Sequence, residues 1–563
     1  MLAASLMRLL PAASVLCLVA CGSDTSGPSS SISSGVSCEG VAPVQLAGGA
    51  HAVIDPTTTG GCLRLPAASG TGAEYLVVAL SANGQVTDQG ATASYQLSTG
   101  ASGGAMAATA AAPQASPPAG LSPAQRFHNM LRARGRTLSH AAFNASVSRA
   151  PSVAASTVAV GSQRNFKVCG DLDCASFVTV SATVKHVGPH GLIYLDNAAP
   201  ANGYTQADLD RVGSLFDEFL YPIDTTAFGR ETDLDANNAV AVLLSPAVNH
   251  ISGNCNTTQS VILGFFFPND LIPGSAGSNS GEVFYGIVPD PTNSDCTISR
   301  AFALQNIGAT FLHEFQHMIS FGRHAVLNTG SAEDHWLDEA LSRLAEELGG
   351  REVPDSFCSP PSCLTQYPSG DVENAFQYLR KDTLDAVPLI EPGNAADGTL
   401  SEDGANWLFI RWLTDHFATD SILGTSLTRK LDGADSPNGT GLTGSINVSS
   451  VIGIDFPTLV SEWQMANYLT AVSGFTESTG RLRYRSWDLR STFTKRFGSY
   501  PLQPDSVGTT SYSHAGVLHQ GSGRHLRVIQ GATGSAVDLT FTDTNGGVVS
   551  SSMVPRFGVT RVR

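Results

Sequence analysis

The stretch TFLHEFQHMISFGRH, residues 310 to 324, decides how this sequence is interpreted. Its first two histidines, His313 and His317, are four positions apart, and Glu314 directly follows the first. On a helix, side chains four positions apart share one face about 6 Å apart along the axis, so both imidazoles can bind one ion. Zinc accepts imidazole nitrogen, and in an HExxH motif the intervening glutamate acts as general base. The pattern therefore predicts zinc bound by the two histidines, with Glu314 as the base.

Two residues are candidates for the third zinc ligand, and the first of them is His324. The metzincin pattern HExxHxxGxxH requires a glycine three positions and a histidine six positions after the second ligand. Here Gly322 comes five and His324 seven positions after His317. If the helix continued, His324 would lie about 10 Å further along the axis than His317. The spacing argues against His324, although a turn at Gly322 would bring it closer.

The second candidate lies in GSAEDHWLDEALSRLAEELGG, residues 330 to 350. This segment predicts a helix, because its leucines and alanines recur at helical spacing along one face. Glu339 falls off that apolar stripe, beside Trp336 and Arg343, where it can face a neighbouring helix. The alternative is a solvated carboxylate that pairs with Arg343 four positions later.

FLHEFQHMISF followed by WLDEALSRLAEEL resembles the hyicolysin-type zinc metallopeptidases, a gluzincin family of exported bacterial proteins. The resemblance covers residues 155 to 480, approximately. It implies a zincin-like fold in which His313, His317 and Glu339 bind zinc and Glu314 is the catalytic base. The fourth position on the metal would be left to water.

The sequence departs from thermolysin-like gluzincins at one position. Those proteins carry an aspartate four residues after the ligand glutamate, where it orients a ligand histidine, and here that position is Arg343. Another acid must serve, and the candidates are Asp338, Glu346 and Glu347. The oxyanion of the transition state also needs a hydrogen-bond donor. The available donors are Tyr378, His335 and His416, and the sequence does not select among them.

A possible calcium site lies in ETDLDANNAVAVLL, residues 231 to 244. Asp233, Asp235 and Asn237 match the start of a calcium-binding loop, D-x-D-x-N. The next residue is Asn238 instead of glycine, and the twelfth position is Leu244 instead of glutamate. A plain turn before a strand is the alternative interpretation.

The N-terminus, MLAASLMRLLPAASVLCLVACGS, is typical of an export signal. Its apolar run is too short for a spanning helix and leads directly into a Ser/Gly-rich stretch. Leu18 to Cys21, LVAC, resembles the bacterial lipobox, which implies a signal peptide at residues 1–20 and a lipid anchor on Cys21. The alternative is an ordinary signal peptide that is cut nearby. We expect an outer-membrane or cell-surface lipoprotein, or a form released outside the cell.

Eight further cysteines predict disulfide bonds, because an even number in an exported chain is typical of oxidised proteins. The spacing favours partners that are close in sequence, and none of the cysteines forms the CxxC pair of a structural zinc site. The expected pairs are Cys38–Cys62, Cys169–Cys174, Cys255–Cys296 and Cys358–Cys363.

The order of strand-like and helical segments predicts an α+β protein with small β-sandwich modules on either side of a central domain. The resemblance implies that this central domain is zincin-like, a mixed sheet plus active-site helices. The stretch SPAQRFHNMLRARGRTL, residues 122–138, predicts an amphipathic helix with Ser122 as its cap and Pro123 at its first position, in a segment that fits either a propeptide or an interdomain strut. The expected regions are a flexible tether at 21–37, a β-sandwich at 38–100, an Ala/Pro-rich linker and helix at 101–154, a metallopeptidase domain at 155–490 and a β-rich module at 491–563.

The net charge of −16 and the absence of a basic run argue against a nucleic-acid-binding surface, which needs clustered lysine and arginine. We expect protein or peptide substrates and a bound zinc ion, with calcium as a second possible metal. We also expect a membrane contact through Cys21 and a monomeric chain. The predicted activity is that of a zinc-dependent endopeptidase. Two alternatives stay open: a catalytically silent adhesin or binding lipoprotein with a zincin fold, and a zinc hydrolase of cell-wall peptides.

Overall fold

The computed structural model describes most of the chain from residue 36 onward. The described residues are 36–87, 90–99, 121–138, 158–328, 330–380, 385–391, 399–420, 423–435, 441–508 and 511–563. The predicted signal peptide, Cys21 and all but the last two residues of the predicted tether lie outside these ranges, as do residues 101–120 and 139–154 of the predicted linker.

The strands of the described residues form three sheets. In chain order the strands are β1 (His51–Ile54), β2 (Cys62–Leu65), β3 (Ala73–Ser81), β4 (Thr92–Thr99), β5 (Gln163–Cys169), β6 (Phe177–Val187), β7 (Gly191–Asp196), β8 (Val240–Leu244), β9 (Gly264–Phe266), β10 (Val283–Gly286), β11 (Asp505–Val507), β12 (Ser513–His519), β13 (Gly523–Gln530), β14 (Val537–Thr542) and β15 (Pro555–Arg561). The sheet orders are β1-β15-β3-β13-β11, β12-β4-β14-β2 and β5-β6-β7-β8-β10-β9.

The first two sheets combine strands from both ends of the chain. β3 lies between β13 and β15, and β4 lies between β12 and β14. Both sheets contribute to one apolar core, in which Tyr95 of β4 packs edge-on against Phe541 of β14. This pairing corrects the prediction of separate modules at 38–100 and 491–563, because the two segments share a single sandwich. Neither segment alone could cover the edges and apolar faces of its own strands.

The third sheet is mixed and lies beside the helices. β7, β8 and β10 run parallel to one another, whereas β9 pairs antiparallel with β10 at the edge. All five residues of β8, the sequence VAVLL, are buried, as expected for a central strand covered on both faces. The mixed sheet and many helices agree with the predicted α+β class.

α-Helices dominate the middle of the part of the chain that the structure describes. In chain order they are α1 (Pro123–Thr137), α2 (Gln206–Leu215), α3 (Tyr221–Phe228), α4 (Pro246–Ile251), α5 (Cys255–Thr258), α6 (Arg300–Phe321), α7 (His335–Glu352), α8 (Cys363–Gln366), α9 (Ser369–Tyr378), α10 (Leu400–Phe417), α11 (Thr425–Leu431), α12 (Gly444–Ile452), α13 (Phe456–Leu469) and α14 (Leu489–Phe497). π-helical turns follow α2 at Phe216–Leu220 and α6 at Gly322–Leu327.

Helix α6 contains the HExxH motif, and helix α7 contains Glu339. Ser299 caps α6, and its hydroxyl accepts a hydrogen bond from the backbone N–H of Phe302 at 3.1 Å. The two helices approach closely: a Cβ at Gly349 would lie only 2.2 Å from Cδ1 of Leu312. Glycine at 349 therefore permits the contact between the helices that carry the candidate site.

The four predicted disulfide pairs are all present: Cys38–Cys62, Cys169–Cys174, Cys255–Cys296 and Cys358–Cys363. Within the part of the chain that the structure describes, we find no helix with the length and apolar character needed to cross a bilayer.

Candidate metal centre

His313 and His317 of α6 and Glu339 of α7 converge on one point. The Nε2 atoms of the two histidines lie 3.1 Å apart. Oε2 of Glu339 lies 3.5 Å from Nε2 of His313, and Oε1 lies 3.5 Å from Nε2 of His317. Two residues one helical turn apart supply the imidazoles, and a second helix supplies the carboxylate.

These distances match what a zinc ion requires. Ligand atoms about 2.1 Å from a tetrahedral ion are about 3.4 Å from one another, and two imidazoles with one carboxylate form a donor set typical of catalytic zinc. Glu339 is only 4% exposed, so the alternative of a solvated carboxylate does not describe it. The three side chains could hold a zinc ion and leave its fourth position open toward the neighbouring cleft.

Each imidazole is oriented from behind by a carboxylate of α7. Nδ1 of His313 lies 2.8 Å from Oε1 of Glu346, and Nδ1 of His317 lies 2.9 Å from Oδ2 of Asp338. Such contacts fix the imidazole tautomer so that Nε2 presents its lone pair to a metal. Glu347, the remaining candidate for this role, instead accepts hydrogen bonds from the indoles of Trp407 and Trp487.

Burial determines the protonation of the two imidazoles. It lowers the pKa of His313 to about 4 and also lowers the pKa of His317. Both side chains are therefore neutral at neutral pH, which is the form that binds a metal.

Glu314 lies beside this centre on the same helix, with its side chain almost completely buried. Oε2 accepts hydrogen bonds from Nη2 of Arg132 at 2.9 Å and from the backbone N–H of Phe266 at 3.0 Å. Oε1 lies 3.3 Å from Nδ1 of His128. Burial raises the pKa of Glu314, but the positive charge of Arg132 and the contact with His128 outweigh it, so the pKa is held well below its usual value.

Glu339 is surrounded by groups that carry or can accept positive charge. Nε2 of His335 lies 3.6 Å from Oε1 of Glu339, and Nη2 of Arg343 lies 3.8 Å from Oε2. Arg343 is held in turn by Asp403 at 2.7 Å, and His335 lies 2.9 Å from Glu391. Burial opposes ionisation of Glu339, but the neighbouring histidines and Arg132 hold its pKa well below the usual value. Glu339 is therefore ionised and held in place.

The remaining sequence candidates lie in other surroundings. Nε2 of His324 is 3.9 Å from Oε2 of Glu333, in the π-helical turn after α6, and His324 is not part of the metal-binding group. The three predicted oxyanion donors have different neighbours. His335 contacts Glu339, and the hydroxyl of Tyr378 accepts a hydrogen bond from Gln464. The ring of His416 contacts a backbone carbonyl. None of these three side chains lines the open cleft that leads to His313, Glu314 and Glu339.

An open cleft of about 660 Å³ leads to His313, Glu314 and Glu339. Its walls come from α6, α7, the N-terminal half of α1, the segment leading into β9, and the loop at residues 359–361. β9 is the edge strand of the mixed sheet, so one of its sides is not paired with another strand. Gly264 lines the cleft, so the cleft reaches from the start of β9 to the candidate metal centre.

The predicted calcium residues are arranged differently from the expectation. Asp233 and Asp235 group with Glu282, and their carboxylate oxygens lie within 4.8 Å of one another. Asn237 instead donates from Nδ2 to Asp235 at 2.8 Å, and its Oδ1 accepts from the backbone N–H of Ala239 at 2.6 Å. Glu282 is therefore the third member of this acidic group, in place of the expected Asn237. Since acidic groups often gather without an ion, calcium stays a prediction.

Sequence reasoning missed the cations and acids that reach the centre from distant parts of the chain. Arg132 and His128 come from α1, Glu391 follows α9, and Asp403 belongs to α10. The predicted Ser122 cap of α1 is confirmed, since its hydroxyl accepts from the backbone N–H of Gln125. Nothing in the local pattern of α1 indicates which surface it covers. The only hint in the sequence that α1 could contact the acidic residues of the centre was its set of basic residues on a helix with an apolar face.

The chain is similar to one curated metalloprotease, the neutral metalloprotease ShpI of Staphylococcus hyicus, with 28% identity over 189 residues. The matched stretch is 31% of this chain, and it spans 40% of the relative's length. No protein-family model matches the chain. The similarity supports a relationship to metallopeptidases.

Proposed function

We propose that this protein is a zinc-dependent endopeptidase of gluzincin type with a zincin-like catalytic domain. The observation that carries the proposal is the convergence of His313, His317 and Glu339 to ligand–ligand distances of 3.1 to 3.5 Å, with Glu314 beside them. The limited similarity to a protein named a metalloprotease supports the same conclusion.

The roles of the side chains follow from their positions. When bound, zinc would polarise the scissile carbonyl and make a water molecule more acidic. His313, His317 and Glu339 would hold the ion, and Asp338 and Glu346 orient the two imidazoles.

Glu314 then acts as general base. It takes a proton from the attacking water and passes it to the amine that leaves. Glu314 borders the cleft beside His313, so its carboxylate can reach a water that enters from there.

The edge strand β9 supports a peptide as substrate. In an antiparallel pair the backbone N–H and C=O groups of alternate residues point to the same side, so the side of β9 away from β10 offers hydrogen bonds to an extended chain. The backbone N–H of Phe266 already points away from β10, toward Glu314. A substrate strand laid along β9 would bring its backbone to the metal centre.

Metal content tests the proposal first. We expect about one zinc per chain in the wild type. Glu339→Ala should lose this zinc, and His324→Ala, the matched control, should retain it. Zinc lost with His324→Ala and retained with Glu339→Ala would contradict the proposed ligand set.

Casein hydrolysis at saturating zinc tests the base. Glu314→Gln should retain zinc but lose activity by a factor of about 10² to 10⁴ or more. Retained zinc without hydrolysis in any variant would favour the catalytically silent binding lipoprotein. Zymograms with cell-wall material beside casein distinguish a hydrolase of cell-wall peptides.

The cellular location belongs to the same proposal. Export, lipid attachment through Cys21 and exposure at the outer membrane or cell surface are inferred from the N-terminal sequence. Mass spectrometry of the mature N-terminus would detect a lipidated cysteine at position 21 and would exclude the anchor if cleavage occurs elsewhere.

A further inference from the structure

Helix α1 contacts both the proposed base and a proposed zinc ligand. Nη2 of Arg132 donates to Oε2 of Glu314 at 2.9 Å, and Nε of the same side chain donates to Oε1 of Glu339 at 3.3 Å. His128, one turn earlier, lies 3.3 Å from the other oxygen of Glu314. The Arg132 side chain is only 4% exposed. A single helix therefore engages both carboxylates that the proposed chemistry requires.

These contacts oppose the proposed chemistry in two ways. A water that is activated by Glu314 must hydrogen-bond to a carboxylate whose oxygens already face Arg132, His128 and a backbone N–H. A guanidinium that contacts Glu339 also places a positive charge beside the position of a divalent cation. Like charges a few ångströms apart in a buried site repel strongly. Docked Arg132 and bound zinc are therefore in competition.

The position of α1 is held by specific packing. The ring of Phe127 packs edge-on against Phe265 of β9, with centroids 5.0 Å apart, and Leu131 is fully buried. The backbone N–H of Ala124 donates to the hydroxyl of Ser260 at 3.0 Å. α1 thus lies against the same edge strand to which the proposed function assigns the substrate.

We propose that α1 is an intramolecular inhibitor that lies along one wall of the substrate cleft and against the metal centre, with Arg132 as its anchor. This inference rests on the proposed zinc peptidase function and adds its regulation. In the docked state the guanidinium neutralises Glu314 and Glu339 in place of the metal. Full activity requires α1 to leave the cleft, or enough zinc to displace Arg132.

The shared sandwich limits how α1 can leave. Strands β1 to β4 precede α1 and pair with strands β12 to β15 near the other end of the chain. One cut after α1 would therefore leave the N-terminal segment bound through its strands, with α1 still connected to it. Release requires cuts on both sides of α1 or withdrawal of the intact helix, and not simple loss of everything before residue 155.

A zinc competition titration against a chromophoric chelator tests the proposal on the full-length chain. Arg132→Gln should raise zinc affinity at least about tenfold, because it removes the competing charge. Arg132→Lys, which retains the charge without the planar fork, should give a smaller rise. The matched control is Arg126→Gln, the same change at an exposed position of α1. Melting temperatures of all variants show whether each one folds.

Activity provides the second readout. At zinc concentrations that only partly load the wild type, Arg132→Gln should hydrolyse casein faster, whereas Arg126→Gln should match the wild type. Equal zinc affinity in folded Arg132→Gln and Arg126→Gln would overturn the inhibitory role. Loss of hydrolysis in Arg132→Gln at full zinc loading would overturn it in favour of a substrate-positioning role. Absence of zinc from every variant would instead remove the proposed function itself.

Should Arg132→Gln fail to fold, a wild-type background keeps the proposal testable. Specific protease sites inserted at residues 105–115 and 142–152 allow α1 to be cut out after folding. Excision should raise zinc affinity and casein hydrolysis, and a single cut at either site should have a much smaller effect. Equal behaviour of the intact and doubly cut chains would overturn the proposal.

Discussion

Oδ2 of Asp338 lies 2.9 Å from Nδ1 of His317, and the next residue, Glu339, presents its carboxylate to Nε2 of the same imidazole. α7 thus contacts His317 on both sides of the ring. Two helical turns further along α7, Glu346 does the same for His313 as Asp338 does for His317. A single helix therefore supplies one candidate ligand and the two carboxylates that orient the others.

Asp338→Asn and Glu346→Gln should each weaken zinc binding by a factor of about 10 to 100, because the imidazole loses the carboxylate that fixes its tautomer. A chelator competition assay measures the change. Glu352→Gln, at an exposed position near the end of the same helix, is the matched control and should bind zinc like the wild type. Unchanged affinity in both site variants would show that α7 does not orient the histidines.

The shared sandwich predicts that damage to a C-terminal strand spreads to an N-terminal one. Phe541→Ala removes a fully buried ring that packs against Tyr95, and such truncations cost about 3–5 kcal/mol. Amide hydrogen exchange should accelerate across Thr92–Thr99 as well as around residue 541. Val517→Ala, at an exposed position of β12, should have little effect. Protection of Thr92–Thr99 that survives Phe541→Ala would favour two independent modules.

His525 should make stability depend on pH. Its Nε2 contacts the backbone carbonyl of Gln464 at 2.7 Å, and burial lowers the pKa of His525 to about 4. Because this is below the usual value of about 6.5, the unfolded chain binds the proton more readily between those two values. The titration of His525 therefore leaves the free energy of unfolding unchanged above pH 6.5 and lowers it as the pH falls toward 4.

By pH 4.5 this titration lowers the free energy of unfolding by about 2 to 3 kcal/mol. Urea unfolding at pH 7 and pH 4.5 measures the free energy of unfolding. The loss between the two pH values should be smaller in His525→Gln, which does not titrate, than in the wild type. An equal loss in both proteins would show that His525 does not titrate with a lowered pKa.

The disulfides should contribute unequally to stability. Cys255–Cys296 joins positions 41 residues apart, whereas Cys358–Cys363 joins positions 5 apart. In the chain-entropy treatment, these loops correspond to about 4 and about 2 kcal/mol. Replacing both cysteines by alanine in each pair should therefore lower the free energy of unfolding more for the longer loop. The reverse order in urea unfolding would contradict the loop-length argument.

Several features could be predicted from local sequence alone. The helix with HExxH, the Ser122 cap and the four disulfide pairs depend on residues close in sequence, where spacing and residue type carry the information. The convergence of Glu339 with the histidines was expected because two neighbouring segments together resemble a family of zinc metallopeptidases. The structure brings those three side chains together.

Other features depend on partners that are distant in sequence. Spacing left three acids as candidates to orient the histidines, and only the packing of α7 against α6 distinguishes Asp338 and Glu346 from Glu347. The calcium interpretation failed to find Glu282, which reaches Asp235 because β8 and β10 are neighbours in the sheet.

Local residue spacing is enough to predict two imidazoles and a carboxylate on one helix, a glutamate on the next, and cysteines placed to pair. That strands from both ends form one sandwich, and that Arg132 reaches Glu314, 182 positions away, depends on the folded chain. The physical reason is that periodicity records which face of an element is apolar but not which surface covers it. That choice is made by the packing of the whole chain, and here it placed α1 over the candidate site.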